Sequence, residues 1–555
     1  MPTDVDIIVI GAGVAGMTAA AALAKDCTQR VAVFERAPFI GGRCLSYVGQ
    51  GNKVVADGIE MNAQQYRRSL GFAHCHLGSC TPDIETIFES GLLDGRSFEA
   101  GGHGLFWGDQ SRCELMLHHV GKHVAMPINR GLGFIEWQGI DPDARVRPTV
   151  SHQVDKGAAY PWMSPEGFAA TRRYLGDMAH LSADDLTSLS RTSLQEWLEE
   201  REMHPEAYDY IKVLAASQTG DAEPRMTAAP DFLGYMAVAR RLGMNLITGS
   251  VAMVDSPGTI AIPLALEEVV IEHGGVVRRD MPVVEVIIDD GVATGVRYDD
   301  DGTERTMSAT QVICTLPPKI VFRVLPRAAF PVEWVDFVEH GHRGIGLLTG
   351  WVGTKRSITA DLGIDPGSFI YMPAITGDDE GFIGKVDMVM CEPTAWGDGS
   401  ARRAPDGKSE YYFSTALTDV EMRSSERVNL VTQRCEAWAR ANFPTWDDDV
   451  EFIIWTPSPE ALGTNRPVGA DRVPHRSEHV RGLWFAGDQY GEKNWGCGVD
   501  AAVLSGVVCV DQMMGTDLEQ QIFPEWHRGI PMQCRDDQTV HTPTNWKRGT
   551  HGAVI

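Results

Sequence analysis

The chain has 555 residues, 43% of them hydrophobic, and a formal net charge of -26. That length allows about two to four domains with a full-sized core, and the acidity argues against a nucleic-acid partner or an anionic membrane surface. No run reaches the roughly 18–20 apolar residues of a membrane span, so at most a peripheral membrane contact is expected.

The first strand is the buried apolar run VDIIVI, residues 5–10, and the acids before it do not suit a secretion signal. A glycine turn from Gly11 to Gly16 follows, then an alanine-rich helix to Lys25 and a second strand, Val31 to Phe34, closed by Glu35. This is a β–turn–α–β unit. The run HCHLGSC holds His74, Cys75, His76 and Cys80. It lacks the spaced pairs of a zinc site, so a polar loop with buried thiols is expected and no metal. All eleven cysteines are scattered without framework spacing, which fits reduced thiols in a cytoplasmic protein. A homo-oligomer is compatible with all of this.

Residues 120–165 read as loop and short strands, and 193–202 and 206–217 as helices. The run PLALEEVVIEHGG is a helix stopped by Gly274 and Gly275. Two strands around the Asp290–Gly291 turn follow, then a buried strand ended by Pro317 and Pro318. Stretches 344–353 and 409–418 alternate like strands, 392–408 reads as an exposed polar loop, and 515–555 as a surface extension. Near the end, an apolar run from Leu483 to Ala486 meets Gly487 and Asp488, and a small-residue helix begins near Val499.

The glycines Gly11, Gly13 and Gly16 have the G-x-G-x-x-G spacing. The first permits the tight turn, the second lets a pyrophosphate reach the backbone, and the third lets helix pack on strand. Val14 and Ala15 then open a helix whose free N–H groups face the phosphates. Alone the spacing is a weak signal. The strand before it, the helix after it and Glu35 about twenty residues on make it a dinucleotide site. An acid there suits ribose hydroxyls and repels a 2′-phosphate. Arg36 follows it, and Gly41, Gly42 and Arg43 offer a second close backbone approach and a cation.

The pattern GxGxxG, acid, GGR resembles the flavoprotein superfamily of amine and polyamine oxidases, protoporphyrinogen oxidase and phytoene desaturases. The resemblance implies FAD and an α/β fold. A Rossmann-like FAD-binding domain (residues 1–60, 250–320 and 475–515) would be interwoven with a mixed-sheet and helical substrate region. That region would span 61–249 and 321–474, with 516–555 as a C-terminal extension. By resemblance, Gly487 and Asp488 would meet the ribityl or pyrophosphate region. The helix opening at Gly498 and Val499 would aim its N–H groups at the flavin ring. The VVEVIIDDGVATGV block resembles the family's V-x-x-I strand, whose valine reads the adenine; Val284 is the best match and Val283 the register alternative. Cys44 and Cys497 lie in the cofactor segments.

Amine oxidases of the superfamily usually carry a lysine beside the flavin on a substrate-domain strand. The comparable stretch here, 339–353, has His340, His342 and Arg343 but no lysine, and Lys319 and Lys355 only flank it. The run SPGTIAIPLALEEVVIEHGGVV more closely resembles the phytoene desaturase branch. That implies hydride removal from an apolar terpenoid- or polyene-like substrate, with a quinone or oxygen as electron acceptor. Amine or amino-acid oxidation and double-bond isomerisation are the alternatives. His103 and His342 are the candidate bases. Trp495 is a candidate wall of the site, with Tyr490 nearby. Asp500, in the first turn of the final helix, reads as a charge partner.

Overall fold

The computed structural model describes residues 3–106, 111–129, 131–136, 145–151, 163–219, 223–241, 251–342, 345–362, 364–372, 388–397, 402–462, 468–469, 471–491 and 498–524. A five-stranded parallel sheet organises one half of the fold. Its order is Val276–Arg278, Val31–Phe34, Ile7–Ile10, Gln311–Cys314, Leu483–Phe485. Every adjacent pair is parallel, with Ile8 beside Ala32 on one side and Val312 on the other. Strands covered on both faces need continuous apolar runs, and Ile7–Ile10 and Val31–Phe34 are buried throughout. The helix Val14–Lys25 is buried from Val14 to Ala24. Its small side chains let the final helix, Gly498–Met514, cross close by: a Cβ on Gly506 would come within 2.8 Å of the Ala15 carbonyl. The helix Ala261–Glu272 packs alongside.

The other half centres on an eight-stranded sheet whose long members are Ile345–Thr354, Ser409–Thr418 and Val450–Leu462. A separate helical layer between residues 165 and 241 packs around the buried Trp197. The Asp290–Gly291 hairpin gains a third strand, Thr303–Ser308, whose mostly polar, exposed residues hid it from apolar patterning. A four-stranded sheet of Ser46–Gln50, Lys53–Ala56, Ile59–Met61 and Ser97–Glu99 likewise lacked a clear alternation.

Two sequence readings need correction. Residues 392–408 are not simply an exposed loop, because Arg403 is fully buried. Its guanidinium pairs with Glu99 at 3.3 Å and Glu410 at 3.4 Å and donates to the carbonyls of Ser97 and Val254. Polarity predicts exposure only when no partners are brought in from elsewhere. The extension is not all surface either: Leu518, Ile522 and Phe523 join the core beside the final helix. Among the described residues, no helix is long and apolar enough to cross a membrane.

Candidate active site

A cavity of about 290 Å³ opens at the carboxyl ends of the parallel strands, where open α/β sheets place their ligands. Its floor is the glycine turn. Gly11 has φ +103°, and a side chain there would overlap the Thr315 hydroxyl. A Cβ on Gly16 would overlap the Gly11 carbonyl, so the third glycine is needed for helix–turn contact. Gly13 is different. A Cβ there meets nothing closer than the Gly41 carbonyl at 4.0 Å, so its bareness leaves room in the cavity rather than relieving a contact within the protein. Gly13 also caps the helix without a side-chain hydrogen bond, leaving N–H groups for an anion.

Gly11, Gly13, Val14, Ala15 and Gly16 all line this cavity, as do Glu35 and Arg36. Both Glu35 oxygens accept backbone N–H groups, from Ala12 and Ala37, each at 2.9 Å. Burial raises its carboxyl above the usual range against the pull of those bonds. Gly41, Gly42 and Arg43 form the next wall, and Gly487 and Asp488 face them. Arg43 donates to Asp488 at 2.8 Å, an ion pair spanning the two ends of the sequence. Gly498 and Val499 bring the final helix to the cavity. Asp500 in its first turn is tied to Arg112, at 2.9 Å through the guanidinium and 2.6 Å through the backbone N–H. Its charge is thereby balanced away from the cavity, and the positive helix end stays available.

The wall expected to receive the adenine corrects one reading. Val283 lines the cavity, whereas Val284 is 40% exposed and does not. Successive strand residues face opposite sides, so a one-residue register error reverses the side chain. Leu316, Pro317, Ile320 and Val324 complete this apolar end.

At the other end, Gly101, Gly102 and His103 line the cavity. Burial holds the His103 imidazole below its ordinary pKa against the opposing field of Glu99, and its Nδ1 has no hydrogen-bond partner. A side chain on Gly102 would overlap Leu347 and Tyr412 and come within 3.0 Å of the Thr349 hydroxyl. The sheet face behind this loop therefore carries leucine, threonine and tyrosine, and no lysine lines the cavity among the described residues.

His342 is not among the lining residues. It is buried beside Phe337, its ring nitrogens complete no hydrogen bond, and burial with the Arg472 charge brings its pKa to about 4. Trp495 lies outside the described residues, as do Asn494 and Cys497. Tyr490 is buried, stacks on Phe485 and donates to the Leu316 carbonyl at 2.5 Å, a packing role. His74 and Cys75, weighed above only as metal ligands, line the cavity, together with Phe72 and Ser458, which no local pattern marked. Cys44 is also there, its thiol pushed up to about 12 by burial and so kept protonated. Among the described residues, no three His, Cys, Asp or Glu side chains group as a metal site.

The sequence profile of the family described as flavin containing amine oxidoreductase matches residues 14–514. The chain belongs to that family. Its cofactor is FAD, and it is an FAD-dependent oxidoreductase. The bare Gly13 cradle, the Glu35 carboxyl group and the Arg43–Asp488 wall fit that dinucleotide. An oxidoreductase from Methanosarcina mazei is similar in fold, at TM-score 0.60 and 15% identity, covering 92% of this chain and 100% of that one. A putrescine oxidase bound to putrescine gives TM-score 0.57 at 14% identity, covering 92% and 99%. Cyclohexylamine oxidase from Brevibacterium oxydans gives 0.55 at 14%, covering 92% and 100%. At such identities the likeness speaks for the fold alone. No curated protein sequence matches the chain.

Proposed function

We propose that this flavoprotein is a dehydrogenase of the desaturase type, removing hydride and a proton from adjacent carbons of an apolar, terpenoid- or polyene-like substrate. The observation that carries this reading is the face behind Gly102. Leu347, Thr349 and Tyr412 stand there, and among the described residues no lysine lines the cavity to hold a water for amine chemistry. When bound, FAD supplies a two-electron hydride acceptor.

The chain's own groups supply the rest. The glycine turn and the N-terminus of the Val14–Lys25 helix would hold the pyrophosphate through backbone N–H groups, and Glu35 would take the ribose hydroxyls. The start of the final helix favours negative charge in the ring end of the cavity. His103 is neutral at pH 7, and its unpartnered Nδ1 accepts the proton released as the C=C bond forms. A quinone or oxygen would serve as the electron acceptor for the bound FAD.

Two of the structural neighbours are named as a putrescine oxidase and a cyclohexylamine oxidase, so amine oxidation is the second reading. The test is anaerobic mixing of the holoprotein with terpenoids, polyenes, amines and amino acids while following the flavin absorbance. Bleaching by a terpenoid or polyene and not by amines supports the proposal. Bleaching by an amine or amino acid overturns it. A flavin band that no redox substrate bleaches, with double-bond migration in a polyene, would make the protein an isomerase.

A further inference from the structure

The cavity is lined by two acids and three arginines. Asp488 is paired with Arg43, and Glu35 is engaged by two backbone N–H groups. That leaves Arg36 and Arg323. Both are exposed, and among the described residues no carboxylate pairs with either. They come from different elements: Arg36 directly follows the strand Val31–Phe34 and Glu35, and Arg323 ends the short helix Pro318–Arg323. Arg36 lies over the Phe72 ring at 5.4 Å. Beyond burial, the charges of Arg43, Arg36 and Arg323 each lower the pKa of His74, which lines the same cavity. Leu316, Pro317, Ile320, Val324 and Val283, on the same wall as Arg323, make this the adenosine end.

An isolated exposed arginine is ordinary. Two arginines without a carboxylate partner among the described residues, brought to one cavity by different elements in a chain of net charge -26, call for an anion. A dinucleotide approaching so acidic a protein is repelled unless the mouth of its site carries local positive potential. A guanidinium can also stack on a purine face and fork onto phosphate.

We propose that Arg36 and Arg323 form a cationic clamp on the adenosine diphosphate half of FAD. Arg323 is the specificity residue that makes the site prefer an adenine dinucleotide to a flavin lacking that half. The proposal rests on FAD binding in this cavity.

The experiment uses holoprotein: wild type, R36Q, R323Q and, as a charge control, R305Q, whose arginine is exposed on the remote strand Thr303–Ser308. FAD release on dilution is followed by flavin fluorescence, with ADP as a competitor that has the adenosine and both phosphates but no flavin ring. For R323Q the FAD dissociation constant should rise about tenfold, with weaker dependence on ionic strength. ADP should compete about tenfold less well against a fixed occupancy, and R305Q should match wild type. R36Q should shift both ligands in the same direction. Unchanged FAD and ADP binding in R323Q overturns the clamp. So does weakened FAD binding with unchanged ADP competition, because the effect would then lie at the ring end or in the fold. Wild-type protein that carries no FAD and takes none up would instead refute the cofactor reading itself.

Discussion

Replacing Gly11 by alanine tests the floor of the site through two separable penalties. With φ at +103°, an L-residue is strained by about 1–2 kcal/mol. The new methyl would also overlap the Thr315 hydroxyl. Thr315 must rotate away, giving up the 2.7 Å bond it donates to the Ile10 carbonyl, worth about 1 kcal/mol. That carbonyl keeps the Thr315 backbone N–H at 3.0 Å, so it is not left unsatisfied. G11A should therefore cost roughly 2–3 kcal/mol and T315A about 1 kcal/mol. The two share one lost hydrogen bond, so G11A/T315A should cost no more than G11A alone, a coupling of about 1 kcal/mol. Urea unfolding of all four proteins at a fixed excess of FAD, followed by tryptophan fluorescence, measures this. Strict additivity, or a G11A cost below about 0.5 kcal/mol, would refute the geometry of the turn.

Removing the Asp488 carboxylate (D488A) strips Arg43 of its 2.8 Å partner at the cofactor wall; flavin content per protein, read from absorbance, should fall at least tenfold at micromolar concentration. His475 is buried, its Nδ1 donates to the Phe485 carbonyl at 3.0 Å, and burial brings its pKa to about 4. The unfolded chain takes up that proton near pH 6.5 while the native chain refuses it until about pH 4. Stability should thus fall as pH drops through that window, by up to about 3 kcal/mol, and H475N should flatten that part of a pH series of unfolding midpoints. Converting Arg403 to methionine strands Glu99 and Glu410 in the interior, at a cost of roughly 3–5 kcal/mol; unchanged thermal stability of R403M would show that the network contributes nothing. In the dehydrogenase reading, H103Q should leave the flavin spectrum intact and slow anaerobic bleaching by about 10²-fold or more. For wild type, the bleaching rate should drop as acid protonates the imidazole, below its ordinary pKa.

The residues that form the glycine-lined part of the cavity were legible because their demands are local. A tight turn needs glycine at Gly11, a pyrophosphate needs a bare Gly13, and the strand, turn and helix sit within one short segment. The distant A-G-D segment was legible for a similar reason: an apolar strand, a glycine and a lone acid make a recognisable order even far along the chain. What the sequence left open needed contacts between segments. Choosing Val283 over Val284 depends on the strand's facing, which a run of valines and isoleucines does not specify. The burial of Arg403 depends on Glu99 and Glu410 arriving from other strands, and local polarity pointed the opposite way. His74, Ser458 and Arg323 meet at one cavity only because the parallel sheet, the eight-stranded sheet and the short Pro318–Arg323 helix converge there. By itself the sequence determined the cofactor class and the turn that receives it, since those follow from backbone geometry within a few residues. The tertiary structure alone decided which side chains face the cavity, because facing is set by register and packing among segments hundreds of residues apart.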